Sequence, residues 1–171
     1  MANLIRQQKI IDSNKRALIK YVVVSDGSQQ SNTILVNVST LAFAMNTNGY
    51  IASSDADTKA NYTTTIKRVF GQVSSSSGKL KLQWHGDANS EIVTMSNGSF
   101  DYDFQSMGDG ATISNNDTSP TGDILFSVNN NKNNDSFTLF IDLKKDNNDY
   151  DAGQTADPYA FNTKGPFPWL T

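Results

Sequence analysis

The sequence has no cysteine, one histidine and one glutamate. Without cysteine, disulfides and thiolate zinc sites are both excluded. Glu91 is the only glutamate among 17 acidic residues, and all the others are aspartate. Glutamate favours helices, whereas aspartate competes for backbone hydrogen bonds and prefers turns and caps. The composition therefore predicts short strands joined by polar loops.

Long apolar runs and clusters of basic residues are also missing. No run approaches the roughly 18 apolar residues of a membrane span, and the first residues lack the apolar core of a secretory signal. The net charge is -3 and the basic residues are scattered, whereas phosphate binding needs clustered Lys and Arg. We therefore expect synthesis in the cytoplasm, with neither nucleic acid nor membrane as a partner.

Alternation of apolar and polar residues is the main pattern in the rest of the chain. The predicted strands are residues 4–11, 17–25, 33–38, 62–73, 79–85, 91–95, 100–104, 123–128 and 137–143, with one short helix at 39–45. Strands of this number, joined by turn-rich segments, predict an all-β fold. We expect residues 1–145 to form an antiparallel β-sandwich, jelly-roll-like, whose strand order is left open.

The alternation is clearest in two of these strands, and it predicts which side chains form the core. The predicted core residues are Leu80, Leu82, Trp84, Phe137, Leu139, Ile141 and Leu143. The opposite faces carry Lys79, Lys81, Gln83, Thr138 and Asp142, which we expect to be solvated. One wet face and one dry face on each strand are typical of an antiparallel sandwich.

Residues 146–171 depart from the strand pattern and predict a polar loop followed by an extended C-terminal arm. Pro166 and Pro168 hold the arm extended, because proline fixes its backbone and cannot join a ladder. Phe167, Trp169 and Leu170 are large apolar groups that would be unusual on a free terminus. We expect them to be anchors that pack on their own domain, on a second copy or on a different partner.

Two groups of residues could carry catalysis. His85 could pair with Asp87 or Glu91 as an acid–base unit, but no nucleophile motif accompanies it. A glycosidase pair could come from Asp101, Asp103 and Asp109, since the first two lie on one face of a predicted strand, about 7 Å apart. An aspartate-rich chain produces such pairs by chance, so we predict no enzyme activity and no catalytic residues.

Calcium is the one cofactor for which the sequence offers ligands. Asp146, Asp149 and Asp151 supply the hard oxygen atoms that calcium prefers. Their spacing lacks the central glycine and terminal glutamate of a calcium loop. A solvated turn cluster is therefore the favoured interpretation, and a calcium site is the alternative.

Four stretches of the chain carry a resemblance to known proteins. They are Thr-Thr-Ile-Lys-Arg-Val-Phe-Gly at 64–71, Leu-Gln-Trp-His-Gly-Asp-Ala-Asn-Ser-Glu-Ile at 82–92, Phe-Asp-Tyr-Asp-Phe at 100–104, and the segment from Thr138 to Gln154. Together they resemble a small family of virion structural proteins from tailed phages of marine bacteria. The resemblance spans most of the chain. It carries no motif with a chemical role, and so it assigns no catalytic residue.

The resemblance implies a non-enzymatic, multicopy part of a phage particle. We expect a capsid decoration (cement) protein that bridges neighbouring subunits of the head shell, with the major capsid protein or other virion proteins as partners. We also expect it to form a homo-oligomer, in the first place a trimer. The expected assembly residues are at the two ends of the chain: Leu4, Ile5, Arg6, Phe167, Trp169 and Leu170.

Two alternatives remain open. One is a component of the neck, the tail or a receptor-binding fibre. The other is a carbohydrate-binding β-sandwich module, which needs exposed aromatic rings as sugar platforms. The candidate rings are Tyr50, Tyr150, Tyr159 and Trp169.

Overall fold

A computed structural model describes residues 3–107 and 112–150 of the chain. These residues form ten strands: β1 (Leu4–Asp12), β2 (Arg16–Asp26), β3 (Gln30–Val36), β4 (Thr64–Ser74), β5 (Lys79–Trp84), β6 (Glu91–Met95), β7 (Gly98–Asp103), β8 (Ile113–Ser114), β9 (Ile124–Asn129) and β10 (Asn133–Lys145). Three short 3-10 helices lie at Val38–Thr40, Asp55–Asp57 and Phe104–Met107. The described part of the chain contains no α-helix, and the prediction of an all-β fold is confirmed.

The predicted strands agree with the structure to within four residues at each end, with two differences. The predicted helix at 39–45 is wrong, because the helical hydrogen bonding is limited to the 3-10 turn Val38–Thr40. Asn37 caps this turn through its side chain, and Phe43 has a φ of 65°, which a right-handed helix does not allow. The sequence also did not predict β8, a two-residue strand that pairs with the start of β4.

The strands form two antiparallel sheets. The first has the order β1-β2-β10-β4-β7, with β8 beside the start of β4, and the second has the order β3-β9-β5-β6. Four pairs are nested along the chain, so that β2 pairs with β10, β3 with β9, β4 with β7, and β5 with β6. The described chain is thus a long hairpin that folds over into two layers.

The two layers enclose one apolar core, and the structure is a β-sandwich. The core residues predicted from the alternation are all at most 1% exposed, namely Leu80, Leu82, Trp84, Phe137, Leu139, Ile141 and Leu143. Burying a large apolar side chain contributes roughly 1.5–3 kcal/mol. The expectation of solvated opposite faces is wrong at two positions, since Gln83 and Asp142 are each only 7% exposed.

A β-bulge in β4 decides which of its side chains face outwards. The register against β10 shifts between Ile66, which lies opposite Leu143, and Arg68, which lies opposite Asp142. Ile66 and Val69 are therefore both buried, although they are three residues apart. The bulge turns Arg68 and Phe70 to the side of the sheet away from the core.

The segment after β10 continues to pack on the sandwich as far as it is described. Tyr150 is 1% exposed, its hydroxyl donates to the carbonyl of Val38 at 2.9 Å, and its ring centroid lies 5.4 Å from that of Tyr62. Because its ring is buried, Tyr150 cannot be the exposed sugar platform suggested by the sequence. In the described ranges, no helix is long and apolar enough to cross a membrane.

Candidate interaction surface

The assembly residues predicted at the start of the chain lie on β1, an edge strand of the six-stranded sheet. Leu4 is 50% exposed and Arg6 is also exposed. Ile5 lies opposite Val23 of β2 and packs partly buried against the protein's own core. Leu4 and Arg6 are therefore available to a partner, whereas much of Ile5 is already used.

The other predicted assembly residues, Phe167, Trp169 and Leu170, and one predicted calcium ligand, Asp151, lie outside the described residues. Asp149 has a carboxylate oxygen 2.7 Å from Lys59 Nζ, and its other oxygen accepts from the backbone N–H of Thr63 at 2.6 Å. Asp146 accepts from the N–H of Asn148 at 2.8 Å within its own turn. Both carboxylates hold the local chain in place, and within residues 3–107 and 112–150 no three acidic or histidine side chains are placed to share a metal.

A further surface, which alternation in the sequence did not single out, is the outer side of the six-stranded sheet. We call it the outer face, and it is formed by the side chains of β2, β10 and β4 that point away from the core. Its members are Leu18, Lys20, Val22, Val24, Thr138, Phe140, Asp142, Arg68, Phe70 and Gln72. Half of them are large apolar groups, and all five of these are half-buried instead of fully solvated. Leu4 and Arg6 border this face on the neighbouring edge strand.

A row of four side chains crosses the centre of the outer face. Phe70 and Phe140 lie opposite each other in register, with parallel rings whose centroids are 4.7 Å apart. Lys20 Nζ lies 5.8 Å from the centroid of Phe140, and the guanidinium carbon of Arg68 lies 4.8 Å from that of Phe70. Cations at these distances are attracted by the ring quadrupole. The row therefore presents two flat aromatic groups with a cation on each side.

Two ion pairs hold arginines on this side of the sheet: Arg68, which belongs to the row, and Arg16, which lies outside it. Arg68 donates two parallel hydrogen bonds to Asp101 of β7, one of them at 2.8 Å, and these bonds lower the pKa of Asp101. Arg16 makes the same bidentate contact with Asp142, with both distances at 2.8 Å, and this contact raises the pKa of Arg16. Bidentate pairing holds guanidinium groups in one orientation. The polar side chains around the aromatic pair are thus ordered before any partner binds.

His85 and Asp101, two of the catalytic candidates considered from the sequence, make polar contacts with neighbouring side chains. His85 Nδ1 lies 3.1 Å from Thr121 Oγ1 and 3.8 Å from Asp123 Oδ2, so its nearest carboxylate is neither Asp87 nor Glu91. Both contacts use the same ring nitrogen, and a proton relay from a nucleophile through the ring needs both nitrogens. Asp101 is paired with Arg68. These contacts explain the position of each group without a reaction.

A cleft with both polar and apolar lining lies at one end of the sandwich. It has a volume of about 250 Å³, and its lining includes Asn61, Thr63, Ser114, Asn115 and Asp149. Tyr62 also lines it, but this side chain is only 4% exposed. The cleft offers amide and hydroxyl groups to a small polar ligand, with little aromatic surface to stack against a sugar ring.

Phe140 could have been found from the sequence by one signal. It is an aromatic residue at an outward position of a strand whose inward positions already supply the core. A strand with one buried face does not need an aromatic side chain on its other face. Phe70 could not have been found in this way, because its outward position depends on the bulge in β4.

No family model, curated protein or solved structure was found to match the chain.

Proposed function

We propose that this protein is a non-enzymatic structural component of a tailed-phage virion, and that it decorates the head shell in many copies. In this proposal it assembles with itself through the outer face and attaches to the major capsid protein through its two ends. Leu4 and Arg6 would serve at one end, and Phe167, Trp169 and Leu170 at the other. The protein would be made in the host cytoplasm and would end in the virion.

The strand pairing supports this role at the level of the fold. A long hairpin folded into two layers supports the expected jelly-roll-like sandwich, to which β1 and β8 would be additions. Jelly rolls are common in viral capsid proteins and in lectins. A fold alone does not decide function, so the role depends on the surface that the fold presents.

The observation that carries the proposal is the aromatic row on the outer face. Protein interfaces are enriched in aromatic residues and arginine, and a few such residues near the centre supply most of the binding energy. Phe70, Phe140 and Arg68 lie together at the centre of the six-stranded sheet, and valine and leucine side chains of β2 extend the surface. Ordered side chains lose little freedom when a partner covers them.

Decoration by many copies would stabilise a shell through the number of contacts. Each copy that bridges two capsid subunits adds interface area across the boundary between them. Separating the two subunits then also requires breaking their contacts with that copy. When the copies are also joined to one another, expansion of the shell must break many contacts together. A chain without disulfides can in this way strengthen a particle outside the cell.

The test of self-association is the absolute mass of the full-length protein, measured by light scattering behind a sizing column, with and without a calcium chelator. The proposal predicts a closed oligomer, with a trimer as the first expectation. It also predicts the same mass in chelator, because the oxygens of Asp149 are already occupied by Lys59 and Thr63. A strict monomer at all concentrations would contradict it.

A carbohydrate-binding module is the second candidate, and the amide and hydroxyl groups that line the cleft are the observation that favours it. This candidate predicts a monomer that binds a glycan with loss of binding in Asn115→Ala, since Asn115 lines the cleft. Screening the protein against a glycan array, with Gln72→Ala as the control on the outer face, separates the two candidates. A neck, tail or fibre component would also form an oligomer, but it would occupy a different position on the particle.

A further inference from the structure

An ion pair with a buried lysine joins the ends of β1 and β10. Lys145, the final residue of β10, has a side chain that is 0% exposed, and its Nζ donates to Oδ1 of Asp12, the final residue of β1. The same Nζ donates to the carbonyl of Ala42 at 2.9 Å and lies 4.8 Å from the ring centroid of Tyr150. The amine is therefore enclosed by the protein and held against a carboxyl group whose side chain is 13% exposed.

The second oxygen of Asp12 is held by two further donors. Oδ2 accepts from the backbone N–H of Ala42 at 3.0 Å and lies 3.3 Å from Lys9 Nζ. Lys9 is itself positioned by the carbonyl of Thr40, at 2.7 Å. A negative charge that develops on Oδ2 would thus meet a backbone donor and an ammonium group, which is the arrangement of an oxyanion hole.

We propose that Lys145 and Asp12 condense to an isopeptide bond, so that an amide between Nζ and Cγ covalently joins β1 to β10. The bond is formed by the protein itself and needs no oxidant, cofactor or second enzyme. It is independent of the role in a virion. The product is a staple between two residues that are 133 positions apart in the chain.

The reaction balances within the residues of the cluster. A proton passes from the Lys145 ammonium to Asp12 Oδ1 along their hydrogen bond, which leaves a neutral amine beside a neutral carboxylic acid. The amine lone pair attacks Cγ, and the charge that forms on Oδ2 is stabilised by Ala42 N–H and the Lys9 ammonium. Oδ1 receives a second proton from the attacking nitrogen and leaves as water. One C–N bond forms, one C–O bond breaks, and no electrons are exchanged with another molecule.

Three features of the site favour this condensation. The amine and the carboxyl group are held in contact, so their reaction is intramolecular and proceeds at a high effective concentration. Burial lowers the pKa of Lys145, with Asp12 acting against this shift, and a lowered pKa makes the neutral amine more accessible. The backbone of Ala42 fits the product, because its N–H can bond the new amide carbonyl and its carbonyl can accept from the new amide N–H.

The intact mass of the purified full-length protein, measured under denaturing conditions, tests the proposal. We expect a mass lower by one water than that of the unmodified sequence. Trypsin should then release a branched peptide that joins residues 10–15 to a chain beginning at Lys145, since the modified lysine resists cleavage. A mass equal to that of the unmodified chain would overturn the proposal.

Two variants assign the mass change to this site. Lys145→Met lacks the amine and should regain the full unmodified mass, whether or not it folds well. A loss of water that persists in Lys145→Met must come from another reaction, such as cyclisation of an aspartate, and would also overturn the proposal. Lys9→Gln keeps the reacting pair but removes the ammonium near Oδ2, and it should carry a smaller cross-linked fraction in freshly made protein.

Discussion

Gly71 shows how closely β4 and β10 approach each other. A Cβ at this position would lie 2.0 Å from the carbonyl oxygen of Thr138, and the residue has a φ of 155°, which side chains rarely adopt. Gly98 of β7 also has a positive φ, of 119°, but has nothing within 4 Å of the same atom. Comparing substitutions at Gly71 and Gly98 therefore separates the effect of a steric clash on stability from the effect of backbone strain.

We predict that Gly71→Ala lowers the free energy of unfolding by at least about 2 kcal/mol, because the clash adds overpacking to strain. Gly98→Ala should lower it by only about 1 kcal/mol, which is the cost of the strained backbone. Urea unfolding followed by circular dichroism measures both values. Equal losses in the two variants would show that the approach of β4 to Thr138 is not a tight one.

Two buried tyrosines predict how stability depends on pH. Burial raises the pKa of Tyr21 and of Tyr150, since both rings are about 1% exposed and a phenolate would lose its hydration. A raised pKa in the folded state means that stability is fully present below the unfolded pKa of about 10 and is lost as the pH rises above it.

We therefore predict that the free energy of unfolding falls between pH 9 and 11, by up to about 1.4 kcal/mol per pH unit for each tyrosine above pH 10. Tyr21→Phe should show a shallower fall than the parent protein, because it removes one of the two groups. Urea titrations across this range measure the slope. An identical slope in Tyr21→Phe would contradict the assignment.

At the scale of single residues, the sequence predicted what depends on local periodicity. The core positions of β5 and β10 follow from alternation alone. The contact between Lys145 and Asp12 could not be predicted, because nothing local connects residues so far apart in the chain. Asp142 was expected to be solvated, and it is instead covered through its pairing with Arg16, which depends on the register of β2 against β10.

At the scale of elements, the outer face of the six-stranded sheet makes its own contribution to stability. Phe70 and Phe140 form a parallel stack between neighbouring strands. We predict that the losses in the free energy of unfolding caused by Phe70→Ala and Phe140→Ala are less than additive in the double variant, with a coupling energy of about 0.5–1.5 kcal/mol. A double-mutant cycle in urea measures it, at a protein concentration low enough to keep the chain monomeric. Fully additive losses would mean that the rings do not support each other.

The C-terminal arm is the element for which the sequence predicts anchors. All ten described strands end before residue 146. Deletion of residues 165–171 should therefore leave the far-ultraviolet circular dichroism unchanged. It should also leave the oligomeric mass unchanged and weaken attachment to the particle, because the proposal assigns self-association to the outer face and attachment to the two ends. Light scattering measures the mass, and co-sedimentation with capsid shells measures the attachment. Loss of the β-sheet spectrum would show that Phe167 and Trp169 belong to the core of their own domain.

The sequence predicted the strands that are long and regular. It did not predict the elements whose conformation depends on tertiary contacts. β8 has only two residues and exists because β4 continues past the end of β7. The predicted helix at 39–45 has suitable composition, but its residues instead serve other elements. Ala42 holds the side chains of Asp12 and Lys145, and Ala44 forms a bridge to Tyr150.

At the scale of the whole molecule, the fold class was predictable but the interaction surface was not. The alternation of apolar and polar residues indicates that each strand has one buried face, and it therefore predicts a two-layered β structure. Which strands are neighbours depends on non-local pairing, and the row of Lys20, Phe140, Phe70 and Arg68 exists only because β2, β10 and β4 are adjacent. The outer face therefore became visible only in three dimensions.

Ile34 provides a matched control for this surface. It is 48% exposed and lies on β3 of the four-stranded sheet, opposite Leu125. A charge at Ile34 changes the exposed surface of the sandwich without affecting the outer face. Thr138 lies on the outer face and is half-buried, and a substitution there leaves both phenylalanines in the chain.

The most direct test of the proposed assembly compares the absolute masses of Thr138→Lys, Phe140→Lys and Ile34→Lys by light scattering. If the outer face joins the copies, both outer-face variants remain folded and become monomeric, whereas Ile34→Lys keeps the oligomeric mass of the parent. If the outer-face variants keep that mass, or if Ile34→Lys alone loses it, the outer face is not the interface and the account is wrong.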